Sequence, residues 1–260
     1  MSPSTLKAAL YLEVVPGVLT LLSGHDEALA AALAGPAFGI VFAGPHGLRA
    51  RLAIADGAIR SEDAGRPGDL RLRFMSAGAL VRAFENRPTF ALPLGGWRHL
   101  RDGVRRFGRA GERLRVILDD RETARRDPAL LALHAWGSLA AGLAAATAWL
   151  RHHPDGAAER AQLGEGAFVF DCDALPAPLW IHPASLRRGA GEPPGAPVAR
   201  VEFAHVPVLF AELGHRLDAL AALGTGELRI TGRLPLVDRL SAVINRASAL
   251  LRPLPERPIR

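Results

Sequence analysis

The chain has 260 residues, 49% of them hydrophobic and 22% charged, with a single cysteine. That is long enough to bury a core without disulfide staples, and the composition excludes collagen-like, coiled-coil and disordered classes. One cysteine forms no internal disulfide and supports no zinc site of the Cys-pair type. The formal charge is +6, and Lys7 is the one lysine among 32 basic residues, so the high isoelectric point reflects a compositional bias toward arginine. Residues 1–128 carry 19 basic and 14 acidic side chains against 13 and 12 afterwards, which places the excess charge in the first half.

Taken in chain order, the first 17 residues lack a long apolar core and are interrupted by Lys7, Glu13 and Pro16. They do not read as a secretory leader, and a cytoplasmic protein is expected. A helix is predicted over Asp26 to Leu33, then strands at Phe38 to Ala43, Leu48 to Ala55 and Leu70 to Phe74. A helix from Ser76 to Glu85, a strand from Thr89 to Leu94 and a helix from Trp97 to Ile117 follow. Ala129 to Leu150 is a 22-residue stretch without formal charge, long enough to span a bilayer, but its nine alanines make its transfer energy small, so a buried helix is expected. Strands at Ala167 to Cys172, Leu179 to His182 and Ala199 to Phe203 come next. A helical stretch from Val206 to Leu223, a strand from Glu227 to Thr231 and a helix from Leu234 to Leu251 complete the chain.

The order of elements repeats. Phe74, Leu80 and Phe84 align with Phe203, Leu209 and Leu213 at an offset of 129, and Gly96, Leu100, Val104, Phe107 and Leu114 align with Gly232, Leu236, Leu240, Val243 and Leu250 at an offset of 136. A Gly/Pro loop, 64–69 in one copy and 189–197 in the other, precedes the shared strand. Two halves, 1–128 and 129–260, are therefore expected.

Residues Ala199 to Gly232 resemble the sterol carrier protein type 2 family of lipid-binding domains. The features that carry the resemblance are Val201 and Phe203 on a strand, Gly214 ending a helix, the Leu217-Asp218 step, a short helix at Ala221 to Leu223, and a Gly226 to Gly232 strand of the form Gly-x-Leu-x-Ile-x-Gly. It implies an α+β fold of tandem sterol-carrier-like halves, each a curved, mainly antiparallel sheet covered by helices and enclosing an apolar tunnel. The first half departs from the pattern: 11 residues separate Phe84 from Gly96 where 18 separate Leu213 from Gly232. It lacks the Leu-Asp step and the short helix, so the resemblance implies a degenerate copy and leaves open whether that half binds lipid.

Helical and strand periodicity agree in kind, aligning Leu236, Leu240 and Val243 on the last helix and Leu228 and Ile230 on one sheet face. With Phe203, Leu209, Phe210, Leu213, Leu217 and Leu220 they form the expected wall for a lipid, although such stripes also build plain core. Burying ten methylenes yields about 8 kcal/mol gross at about 0.8 per methylene, close to what a bilayer returns, so a carrier works near balance without cofactor or bond-making residue. Residues 97–115 carry seven arginines and two acids. Leu100, Val104, Phe107 and Leu114 are expected to share a face, with Arg98, Arg101, Arg105 and Arg109 flanking or opposing it. That pattern suits an anionic membrane surface or a solvated helix over core. Nucleic acid is not expected, because stacking aromatics and a recognition motif are missing.

No enzyme constellation stands out. His152-His153-Pro154-Asp155 reads as a helix-ending turn without a third metal ligand. Cys172 lies between Asp171 and Asp173, which oppose thiolate formation, and His134 and His182 read as packed or hydrogen-bonded. Three functions remain in play: a lipid carrier with neither metal nor cofactor, cytoplasmic with or without peripheral membrane contact; an accessory protein presenting an intermediate such as a quinone precursor to biosynthetic enzymes; and an enzyme on a hydrophobic substrate. The sequence leaves oligomeric state and lipid identity open.

Overall fold

The structure, a computed structural model, describes residues 1–62 and 66–251. It is an α+β fold with two five-stranded mixed sheets. The first contains β1 (Phe38–Ala43), β2 (Arg49–Ala55), β3 (Ala58–Glu62), β4 (Leu70–Arg73) and β5 (Leu92–Gly95) in the order β3-β2-β1-β4-β5. The second contains β6 (Ala167–Cys172), β7 (Leu179–His182), β8 (Arg187–Ala190), β9 (Pro197–Phe203) and β10 (Leu228–Gly232) in the order β10-β9-β6-β7-β8. Strand for strand the two orders coincide. In each, the parallel pairing joins the first and fourth strands, β1 with β4 and β6 with β9, and the other pairings are antiparallel.

Two glycines fix the correspondence between the halves. Gly96 (φ 68°) and Gly232 (φ 92°) both adopt the left-handed region that side chains disfavour. A Cβ on Gly96 would collide with the backbone of Asp69 and Leu70, and one on Gly232 with that of Val198 and Ala199. The glycines stand 136 residues apart and their backbone partners 129 apart, the same two offsets that align the sequence. Ala64 and Gly65 of the first expected loop lie outside the described residues.

Helices fill the space between the sheets. The first half supplies α1 (Pro3–Leu22), α2 (Glu27–Leu33), α3 (Ala77–Phe84), α4 (Leu100–Asp119, after a 3₁₀ turn at 97–99) and α5 (Arg121–Arg126). The second supplies α6 (Pro128–His152), α7 (Gly156–Leu163), α8 (Val206–Leu213), α9 (Ala219–Thr225) and α10 (Leu234–Leu251). Strong caps start the two long apolar helices. Ser2 accepts from the Thr5 amide ahead of α1, and Asp127 accepts from the amides of Ala129 and Leu130 ahead of α6, with Pro3 and Pro128 in the first turn.

Both α1 and α6 are long and apolar enough to cross a membrane, yet most of each is buried, and they pack on one another. Gly137 and Gly142 let neighbours approach α6 closely: a Cβ at 137 would meet Leu118 at 3.1 Å and Leu22 at 3.3 Å, and one at 142 would meet Ile244 at 3.1 Å. One contiguous core results, with Phe38, Ile40, Leu52 and Leu70 of the first sheet, Phe168, Phe170, Ile181 and Val201 of the second, and α1, α6 and α10 between them.

Several elements differ from the sequence expectation. The N-terminal stretch is a continuous helix despite Pro16, whose missing amide costs α1 one backbone hydrogen bond while its ring is buried in the core. Strands β3 and β8 and helices α5 and α7 are short additions. The expected helical stretch Val206 to Leu223 is two helices: Gly214 closes α8, and Asp218 restarts the chain by accepting from the amides of Leu220 and Ala221 at 3.1 Å. The shorter first half has no counterpart of α9.

Candidate functional site

The apolar residues of the expected lipid wall occupy three environments. Phe203 on β9, Leu209 on α8, Leu228 on β10, and Leu240 and Val243 on α10 are buried in the shared core, and Leu213, Leu217, Ile230 and Leu236 pack against it half-buried. Phe210 is buried outside that core. Its ring meets His134 at 5.2 Å and the guanidinium groups of Arg121, Arg125 and Arg216 at 5.8, 5.3 and 5.5 Å. Leu220 is 82% exposed, because the restart at Asp218 breaks the helical phase that would have carried it round to Leu213 and Leu217.

On α4 the inward face is Gly103, Arg106, Ala110, Leu114 and Ile117, whereas Val104, expected on that face, is exposed. The glycine explains the rotation: a Cβ at 103 would come within 2.7 Å of the Phe38 ring, so the helix seats itself there. Arg106 is consequently buried. It donates through Nε to the Leu33 carbonyl at 3.0 Å and through Nη1 to the Pro36 carbonyl at 2.7 Å, and it lies 4.9 Å from the Phe38 ring. This arginine caps the carbonyl end of α2, where the helix dipole favours a cation. Arg98, Arg101, Arg105 and Arg109 all remain exposed. They adjoin a run of exposed apolar side chains: Phe90 (70%), Leu94 (57%) and Trp97 (64%), with Leu92 and Val104. Sequence reasoning found the arginines and missed Phe90, which lies in the segment before β5, and Leu94, on an edge strand of four residues that is too short for alternation to show which face is wet.

A second set of arginines covers the outer face of the first sheet, where Arg71 and Arg73 are exposed and Arg51 is buried. Arg51 donates to Asp69 at 2.8 and 3.3 Å and pairs with Glu62. Burial alone would raise the Asp69 carboxyl, but the hydrogen bonds from Arg51 and the Arg66 amide hold it below its ordinary value.

Two cavities open along α1 and α6. The larger, about 640 Å³, is lined by Met1 and Ser2, by Thr5 to Glu13 along the N-terminal half of α1, by the β1–β2 turn, and by Arg151 and His152. The other, about 450 Å³, lies between α1, α6 and the β7–β8 hairpin, with Ser61 of β3 at its edge. Neither is lined by a residue of the expected lipid wall.

The groups considered for chemistry are accounted for by packing. Burial first, then Asp173 and Asp171, push the Cys172 thiol up, away from thiolate nucleophilicity. Burial pushes His134 down, and its Nδ1 lies 2.7 Å from the Ile117 carbonyl. His182 Nδ1 accepts from the Ser185 amide at 3.3 Å. Among the described residues no three His, Cys, Asp or Glu side chains are grouped to hold a metal ion.

No protein-family model and no curated protein matches the chain. Among solved structures, part of the chain matches sterol carrier protein 2 domains. The chain is similar to these domains over about a third of its length. Sterol carrier protein 2 like 2 of Aedes aegypti is 18% identical, with 34% of this chain and 90% of that one covered at a TM-score of 0.26. The UbiJ-SCP2 ubiquinone synthesis protein is 19% identical, with 39% and 87% covered at 0.31. The sterol carrier protein domain 2 of Helicoverpa armigera is 14% identical, with 38% and 80% covered at 0.28.

Proposed function

We propose that the protein is a non-catalytic carrier of a hydrophobic lipid that works in the cytoplasm at anionic membrane surfaces, with residues 1–128 as the membrane-facing half and 129–260 as the sterol-carrier-like half. The observation that carries this reading is the exposed surface at β5 and the start of α4. Aromatic and apolar side chains at Phe90, Leu94 and Trp97 stand beside Arg98, Arg101, Arg105 and Arg109. Soluble surfaces rarely cluster large apolar groups without a partner, and amphipathic rings beside arginines suit the headgroup layer of a membrane.

Each arginine near an anionic surface contributes about 1 kcal/mol, fading beyond about 8 Å at physiological salt. Replacing the four arginines by glutamine is expected to abolish flotation with phosphatidylserine-containing vesicles at low salt. Equal flotation of both proteins, or none by the wild type, defeats the membrane role. Mass spectrometry of an organic extract of the purified protein tests the cargo. A fatty acid, sterol or phospholipid series supports the carrier, and a prenylated ring compound alone identifies an accessory factor of biosynthesis instead.

A further inference from the structure

Three arginines meet at one aromatic ring. Arg121 and Arg125 stand on α5 and Arg216 lies between α8 and α9, so both halves of the chain contribute. Their guanidinium carbons lie 5.8, 5.3 and 5.5 Å from the centroid of Phe210. Gly214, which closes α8, admits two of them: a Cβ there would stand 3.2 Å from Nη1 of Arg121 and 3.1 Å from Nε of Arg216. Two positive groups, one from each half, therefore share the space that a side chain would fill.

Among the described residues none of the three has a carboxylate partner. The nearby acids are committed elsewhere or stand off. Asp120 accepts from Thr123, Glu122 pairs with Arg126 at 2.6 Å, and Asp218 accepts from the amides of Leu220 and Ala221. Asp119 and Glu212 form no ion pair with the cluster. Like charges at i and i+4 weaken a helix, and α5, with six residues, is too short to hold itself.

Part of this arrangement is structural. Arg121 donates through Nη2 to the Leu213 carbonyl at 3.2 Å, at the end of α8 where the helix dipole favours a cation, and it also lies over the ring. Arg121 alone meets both needs. Arg125 and Arg216 add repulsion, and neither guanidinium has a hydrogen-bond acceptor among the described residues, so two forks of N–H donors stand uncommitted beside a third. A carboxylate brings two oxygens and one charge. A phosphate monoester brings three terminal oxygens and nearly two charges, enough to engage three such forks together.

We infer that Arg121, Arg125 and Arg216, gathered at Phe210 across the seam of the two halves, form a binding site for a phosphate monoester. The site is separate from the exposed surface of β5 and α4 and holds no apolar chain, so it stands independently of the carrier reading.

Phosphorus NMR of inorganic phosphate titrated against the full chain at constant ionic strength tests it. Line broadening is expected with the wild type, and Arg125→Gln and Arg216→Gln are each expected to weaken binding about tenfold, as loss of a hydrogen bond to a charged group does. Arg60→Gln, an exposed arginine on β3, is the control and should bind as the wild type does. Without phosphate, Arg125→Gln should melt no lower than the wild type, because it relieves the repulsion with Arg121. Two further probes identify the source of the phosphate: glycerol 3-phosphate in the same titration stands for a free ester, and a preference for phosphatidic acid over phosphatidylserine vesicles, lost in both variants, stands for a lipid headgroup. No broadening by the wild type, or equal weakening in Arg60→Gln, overturns the site. A lowered melting temperature in Arg125→Gln with phosphate binding unchanged marks a purely structural cluster and overturns it too. None of these results touches the four arginines of the membrane face, so the carrier reading is judged separately.

Discussion

His134 shows how one buried side chain carries a pH dependence into the whole fold. Burial first, and the nearby Arg121, depress its pKa below the ordinary 6.5, although the Ile117 carbonyl and Asp119 oppose the shift. The unfolded chain therefore binds a proton on this residue near pH 6.5 while the folded one does not. Stability from this group is complete above that pH and is lost as pH falls toward the folded value, at no more than about 1.4 kcal/mol per pH unit. Urea unfolding at pH 7.5, 6.5 and 5.5 is expected to show this decline in the wild type and a shallower one in His134→Gln. The remaining slope belongs in part to His152, which burial and Arg151 depress in the same direction. The sequence marked His134 as packed, since a lone histidine in an alanine-rich helix has few other uses. It gave no means of separating Arg106 from Arg105: both sit on one arginine-rich helix, and only the approach of Phe38 to Gly103 decides which is turned inward.

Among the elements, those with strong local signals were legible. Strands β1, β6 and β7 and helix α10 coincide with the sequence expectation end to end, because continuous apolar runs bounded by turns, or a sustained apolar stripe, leave little choice. The edge strands β3 and β8 were not legible. Arg187–Ala190 carries two arginines and no apolar side chain larger than alanine, so it is a strand only because β7 offers it a ladder. The repeat was legible through its glycines, and this gives a paired prediction. Gly96→Ala and Gly232→Ala each place a side chain into neighbouring backbone at positive φ, so each should cost more than the roughly 1 kcal/mol of an ordinary unfavourable glycine replacement. Gly95→Ala, where the nearest atoms are 4.0 Å away, is the control and should change thermal stability little. Comparable melting temperatures for the three variants would contradict the structural equivalence of the two turns. The candidate site was the least legible part. The 450 Å³ cavity draws residues from α1, β3, α6, β7 and β8, and no periodicity within one segment reports a space shared by five.

At the scale of the whole molecule, the two halves are joined by their first helices, α1 and α6, and tied by Glu13, which receives both Arg151 and Arg188. Tyr11 adds a bond from α1 to the carbonyl of Leu251 at the end of α10 at 3.1 Å. Removing residues 1–25 strips α6 of its main helical neighbour and exposes an apolar face, so the truncated protein is expected to elute as oligomer or aggregate in size-exclusion chromatography. A monodisperse monomer of undiminished stability would show that α6 does not need α1 as a partner. The pairing of α1 with α6 also has a consequence for synthesis. The ribosome releases α1 about a hundred residues before α6, an interval of roughly 5–20 s at about 5–20 residues per second. Throughout that time the flank of α1 that packs on α6 has no mate, so slowing translation between the two helices is expected to lower the soluble yield, which expression with slow synonymous codons over residues 23–127 would measure.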